Sequence, residues 1–201
     1  EYLINASFYK ISGALGEIEN HINAVALTRQ PVMILGEAGT GKEQIARLLY
    51  LRSPHSNHPF VAINCDLIGD KSWDFLLNHY SSPLNDSGNT IFFQSLDAIA
   101  PEQTTELMAS ILSSDLAKRI RLILSCTVSE NGVPPDPIAD LIRRTGSLSL
   151  TLPTLRSRKD EIPSLASLYL NNLNLELGKQ ISGFDAHAID QLRRFSWPNN
   201  Y

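Results

Sequence analysis

The sequence predicts an α/β fold, a mostly parallel sheet flanked by helices and followed by a small helical subdomain. Three observations carry this expectation. Short apolar runs of strand length alternate with stretches of helical period up to residue 152, a glycine-rich turn joins the first run to a helix, and beyond residue 160 only helical spacing remains. Strands that alternate with helices pair in parallel, because a parallel connection needs a crossover long enough to hold a helix, and ligands of such sheets bind at the carboxyl ends of the strands.

Each element follows from local pattern. Ile11, Leu15, Ile18, Ile22, Val25 and Leu27 recur at helical spacing, so a first helix ends near Thr28, before Pro31. Val32 to Leu35 is the first strand, and Gln44 to Tyr50 belongs to the helix behind the glycine turn. A loop rich in Ser, Pro, His and Asn leads to the second strand, Phe60 to Ile63. Residues 71–79 suit a short helix, residues 81–90 are loop by composition, and Ile91-Phe92-Phe93 is the third strand. Glu102 to Leu112 reads as a helix after Pro101, Arg121 to Cys126 as the fourth strand, and Ser147 to Leu152 as the fifth. Ile162, Leu165, Tyr169, Leu173, Ile189 and Leu192 then continue at helical spacing. The break at Pro153 to Lys159 divides the chain into an α/β core over 1–155 and the start of a helical lid over 156–201, read as truncated.

The glycine-rich turn is a phosphate cradle. In Gly36-Glu37-Ala38-Gly39-Thr40-Gly41-Lys42-Glu43, the glycines let the backbone turn tightly with its N–H groups inward, the helix start adds partial positive charge, and Lys42 reaches the outer phosphates. The general P-loop pattern ends GK[ST], with a hydroxyl for Mg2+; here Glu43 stands in that place.

A net charge of -4 disfavours attachment to DNA by this segment, so a DNA-reading part is expected elsewhere. No apolar run approaches the roughly 18 residues that span a bilayer, which predicts a cytoplasmic chain with no membrane partner. The first residue, Glu1, reads as the start of an excised fragment. Cys65 and Cys126 lie in or beside apolar runs and read as small buried residues in a reducing compartment. His55 and His58 lie close in sequence, but two histidines without a third ligand do not make a metal site; His21, His79 and His187 are isolated.

The P-loop block 36–43, the run Pro59-Phe-Val-Ala-Ile-Asn-Cys65, the block Leu152-Pro-Thr-Leu-Arg-Ser-Arg158 and Trp197-Pro198 occur in the order and spacing of one family. Over essentially its whole length the chain resembles the AAA+ domain of sigma-54-dependent enhancer-binding regulators. The resemblance implies a ring-forming P-loop ATPase with a helical lid. It also implies a flanking regulatory domain, as in response regulators, and a helix-turn-helix for DNA outside this fragment.

Several working parts depart from that pattern. Where the family's Walker B strand ends in Asp-Glu, the ungapped reading places Gln94 and Ser95, neither of which is a strong base. A shifted reading recovers Asp97 as a metal ligand but loses the Glu, and a plainer one makes Asp97 a cap of the following loop or helix. Asp66 to Ser87 lacks the Gly-Ala-Phe-Thr-Gly-Ala loop that grips sigma-54. At the end of the sensor strand, Thr127 or Val128 replaces Asn. Of the family's two arginine-finger positions, Ile138 replaces the first and Arg144 retains the second; Arg143 and Arg144 also suit a solvated helix end.

The expected function is a degenerate AAA+ regulatory domain that binds ATP or ADP, with Mg2+ possible, and self-associates as a ring or dimer. It hydrolyses little or nothing and meets RNA polymerase by a route other than sigma-54. Three other readings stay open. One is an active ATPase using Asp97; another is a cyclic-dinucleotide module using Arg47, Arg143, Arg144, Arg156 and Arg158; the last is a scaffold.

Overall fold

The computed structural model describes residues 14–113 and 116–200. Helix α1 (Ala14–Ala26) leads into β1 (Val32–Gly36), α2 (Lys42–Leu51), β2 (Phe60–Asn64), α3 (Asp70–Asn78) and β3 (Thr90–Gln94). Then come a 3-10 turn (Leu96–Ala98), α4 (Pro101–Ser113), the single turn α5 (Leu116–Arg119), β4 (Arg121–Thr127), α6 (Asp136–Thr145) and β5 (Leu148–Thr151). Two 3-10 turns, Leu155–Ser157 and Lys159–Glu161, introduce the lid helices α7 (Ile162–Leu177) and α8 (Ala186–Arg194). The expected strands are all present. The first helix ends as predicted, although Ile11 lies outside the described residues.

The strands form one parallel sheet in the order β2-β3-β4-β1-β5. Alternation along each strand splits the core into two layers. Met33, Leu35, Ile91, Phe93, Leu122 and Leu124 face Trp73 and Leu76 of α3, Leu107 and Ile111 of α4, and Ile138 and Leu141 of α6. Val32, Ile34, Phe92, Ile123 and Leu150 face Ile22 and Val25 of α1, Ile45 and Leu49 of α2, and Ile162 and Leu165 of α7. Burial on both faces explains why the strands read as continuous apolar runs.

Register decides what the sheet presents at its carboxyl end. Gly36 pairs with Thr127, Leu35 with Thr151, and Asn64 with Gln94. The P-loop, the β3 end and the sensor-strand end therefore open side by side.

The lid begins within the core layer, through Leu155, Ile162 and Leu165, and then leaves it. Helix α7 stops at Gly178 in the left-handed region (φ 61). Helix α8 is capped by Asp185, whose side chain accepts from the Ala188 N–H at 2.7 Å. No described helix is long and apolar enough to cross a membrane.

Candidate functional site

The loop between β1 and α2 is shaped by close approach. A Cβ on Gly36 would lie 2.5 Å from Thr40 Oγ1, and the Thr40 side chain is buried with its hydroxyl donating to the Glu37 carbonyl at 2.8 Å. Gly39 and Gly41 take φ of 71° and 85°, which side chains with a Cβ rarely adopt. Lys42 opens α2 and folds back over the loop, its Nζ donating to the carbonyls of Gly36 (3.0 Å) and Glu37 (2.8 Å). Burial lowers the Lys42 pKa, and the negative charge of Asp97 opposes that shift. Glu43, in the place of the usual hydroxyl, is bound to Arg47 one turn on (2.8 Å), and that guanidinium lies 5.5 Å from the Phe60 ring centre.

Gln94 is the last residue of β3, and Ser95 turns the chain in the left-handed region (φ 56), its N–H donating to Ser125 Oγ at 3.1 Å. Asp97 lies in the 3-10 turn beyond. Its carboxylate crosses to β4 and accepts from the Thr127 N–H at 2.6 Å, so the chain reversal at Ser95 aims it at the sensor strand instead of its own segment. Thr127 lies beside the loop, with Val128 N–H donating to the Gly36 carbonyl at 3.2 Å.

Cys65 and Cys126 are buried and outside any disulfide at this end, with Cys126 Sγ donating to the Thr127 carbonyl at 3.4 Å. Burial, with help from neighbouring carboxylates, pushes both up to about 12, which makes them poor nucleophiles. Among the described residues no cluster of His, Cys, Asp and Glu is arranged to hold a metal.

A connection that the sequence does not disclose ties the lid to the loop. Arg156 forms a two-pronged pair with Glu37, at 2.7 and 2.5 Å, and reaches Glu130 at 3.5 Å. Asn200, buried with φ 59, donates to the Ala38 carbonyl at 2.9 Å and to Glu37 Oε2 at 3.4 Å, and accepts from the Leu155 N–H at 2.7 Å. Asn tolerates the left-handed region, which suits it to this reversal. Read from the sequence, Arg156 is a phosphate candidate and a member of the block 152–158, and Asn200 carries no assigned role.

The Arg156 guanidinium holds the Glu37 carboxyl below its ordinary value; Asn200 assists, against a burial penalty. A depressed carboxylate contributes stability above its unfolded pKa and loses it as pH falls through the folded one. Glu37→Gln is therefore expected to be less stable than the parent at pH 7. The gap should close as pH falls below about 4.3, the ordinary Glu value. Urea midpoints of both chains at pH 7 and pH 3 measure it.

The arginine positions sit on α6. Ile138 is 2% exposed in the core, so it has no reach toward a neighbouring molecule. Arg143 is bound to Asp140, and Arg144, with a half-exposed side chain, lies 3.8 Å from the same carboxylate.

A five-stranded parallel sheet in this order, with a P-loop after β1 and a helical lid tied to that loop, defines an AAA+ module. The sigma-54 interaction domain matches residues 9–76, and the AAA+ ATPase lid domain matches residues 156–201. The Nif-specific regulatory protein of Rhodobacter capsulatus is 29% identical over 94% of this chain and 37% of that protein. XylR of Pseudomonas putida is 29% identical over 94% of this chain and 38% of its own length. ZraR of Klebsiella oxytoca is 28% identical over 94% of this chain and 48% of its own length. NtrX of Brucella abortus in complex with ATP superposes with a TM-score of 0.78 at 23% identity, over 94% of this chain and 48% of that one. The chain is thus similar to the sigma-54 interaction domain and the AAA+ lid domain of transcription regulators, and spans half or less of the length of the regulators it matches.

Proposed function

We propose that the chain is a nucleotide-responsive regulatory domain of a bacterial transcription regulator. It binds ATP or ADP at the P-loop, self-associates, and hydrolyses little or no nucleotide. The observation that carries this is a formed cradle, with Lys42 at its mouth, beside a β3 end that offers Gln94 and Ser95 where the family has Asp and Glu.

The residues fit the phosphates of a nucleotide. Backbone N–H groups of 38–42 would receive the oxygens, and Lys42 would exchange its two carbonyls for phosphate. The residues fit a hydrolytic metal centre poorly: the Thr40 hydroxyl already donates to Glu37, Glu43 is held by Arg47, and Asp97 is engaged by Thr127. Without an acid at 94 or 95, no side chain there is a base strong enough to deprotonate water. Brucella NtrX, of the same fold, has been solved with ATP and with ADP, which agrees with this reading.

Arg144 on the outer end of α6 would approach a nucleotide held by the next subunit. The segment after β2 buries Trp73, Leu76 and Leu84, and Ser82 and Asn85 bond back to its own backbone. Its sequence also lacks the family's Gly-Ala-Phe-Thr-Gly-Ala loop for sigma-54, and polymerase contact would take another route. DNA contact would come from a domain outside this segment.

Calorimetric titration with ATP, ADP and a cyclic dinucleotide, with a parallel turnover assay, tests the proposal. Saturable ATP or ADP binding is expected, with phosphate release equal in the parent and Lys42→Ala. Turnover lost in Lys42→Ala would establish an active ATPase, and heat from the cyclic dinucleotide alone would replace the proposed ligand. The arginines suited to that ligand are largely committed: Arg47 to Glu43, Arg143 to Asp140 and Arg156 to Glu37.

A further inference from the structure

The amino-terminal pole of the sheet, where β3 and β4 begin, holds a concentration of cationic groups that the P-loop reading does not use. Arg121, the first residue of β4, is 2% exposed. Its Nη1 donates to the carbonyls of Ala26 (2.8 Å) and Thr28 (2.7 Å), and its Nη2 to that of Val25 (3.1 Å). Its Nε has no hydrogen-bond partner among the described residues. A cavity of about 10 Å³, lined by Arg29, His55, Gly88, Arg119, Ile120 and Arg121, opens beside it. That is room for about one water-sized atom.

Among the described residues, neither Arg121 nor Arg29 nor Arg119 is paired with a carboxylate. Arg29 gives one nitrogen to the Lys118 carbonyl at 2.9 Å. The concentration is unusual in a chain whose net charge is -4. Burying a guanidinium without a counter-charge is costly, and the carbonyls that end α1 offset only part of that cost. The backbone around the cavity is tightly set: Gly88 has φ 91, and a Cβ there would meet His58 Nδ1 at 2.8 Å.

We propose that this pole is a second anion site, built for one phosphate group. One oxygen enters the cavity toward Arg121 Nε, and the others lie at the mouth against Arg29 and Arg119. Guanidinium forks favour a phosphate oxyanion over a spherical halide because they donate in pairs. The five-residue β1 separates this pole from the P-loop by about 16 Å at 3.3 Å per residue, so a single phosphate cannot serve both ends. The group is either inorganic phosphate or the phosphate end of a small ester, and the proposal does not depend on nucleotide binding at the P-loop.

The test is titration of the chain with inorganic phosphate, and separately with a nucleoside monophosphate, in chloride-free buffer. Heat of binding and the Arg121 Nε–H resonance are both followed. With the P-loop site disabled by Lys42→Ala, phosphate is still expected to bind at the pole, with that resonance shifting on saturation. Added to that Lys42→Ala background, the double substitution Arg29→Gln, Arg119→Gln should leave the fold intact and weaken binding about tenfold or more, since charge-assisted hydrogen bonds are lost. Binding of phosphate alone assigns the free ion, and binding of both ligands assigns a phosphate ester. Loss of binding in Lys42→Ala, full binding in the double arginine variant, or a resonance that never moves would overturn the proposal.

Discussion

Lys42→Ala is expected to weaken ATP and ADP binding by about ten- to a hundredfold while leaving the melting temperature nearly unchanged. Hydrogen bonds to a charged group contribute about 1.5–3 kcal/mol, and each 1.4 kcal/mol is a factor of ten. The lower part of that range applies because Lys42 does not start unbonded. Its Nζ already donates to the carbonyls of Gly36 and Glu37, so phosphate exchanges bonds and does not add them outright. A further gain comes from charge: burial depresses the Lys42 pKa, and a phosphate dianion relieves that penalty more fully than two neutral carbonyls do. The fold should tolerate the change, since the Gly36 carbonyl also accepts from Val128 N–H and the Glu37 carbonyl from Thr40 Oγ1. Calorimetry with a parallel thermal melt checks both halves. Equal affinity in parent and variant would leave the cradle without a ligand-binding role.

The strands and the cradle were legible because their determinants are local. Apolar runs bounded by turn residues fix where β1, β3 and β4 lie, and the spacing of Gly36, Gly39, Gly41 and Lys42 is itself the loop. The lid clamp was not legible. Arg156 meets Glu37 and Asn200 meets Ala38 across more than a hundred residues, through contacts that exist only once the lid folds back on the sheet. Asp97 shows the same limit in miniature. Its identity was visible, but its destination depends on a left-handed turn at Ser95 that swings it toward Thr127. Ile138 was legible as a missing arginine, and the structure adds that the position now serves the core between α4 and α6.

These placements also bear on how a nucleotide at the loop would be felt elsewhere. Lys42 and the lid converge on one three-residue segment and share Glu37: Lys42 holds the carbonyls of Gly36 and Glu37, while Arg156 holds the Glu37 side chain and Asn200 the Ala38 carbonyl. Drawing Lys42 toward a phosphate would disturb the segment to which the lid is fastened, with no need for hydrolysis.

Arg121→Met is expected to destabilise the chain by about 3 kcal/mol, the largest loss predicted for a residue outside the apolar core. The substitution removes a buried charge, which by itself favours the variant, and methionine is unbranched enough to fill much of the space. Against that, the carbonyls of Val25, Ala26 and Thr28 at the end of α1 lose their guanidinium donor, and buried acceptors left unpaired cost about 1–3 kcal/mol each. The Val25 carbonyl keeps the Thr28 N–H and hydroxyl as donors, so the full penalty falls on Ala26 and Thr28. Two such losses outweigh the relief of burying one charge fewer, because that charge already sits against the negative end of a helix. For a domain of this size about 3 kcal/mol corresponds to a fall of roughly 6–12 °C in Tm. Hydrogen exchange should locate the damage, with faster exchange in the last turn of α1 and little change at the P-loop. A variant as stable as the parent would mean that water replaces the guanidinium at no cost, and that Arg121 has no structural part in holding α1 to the sheet.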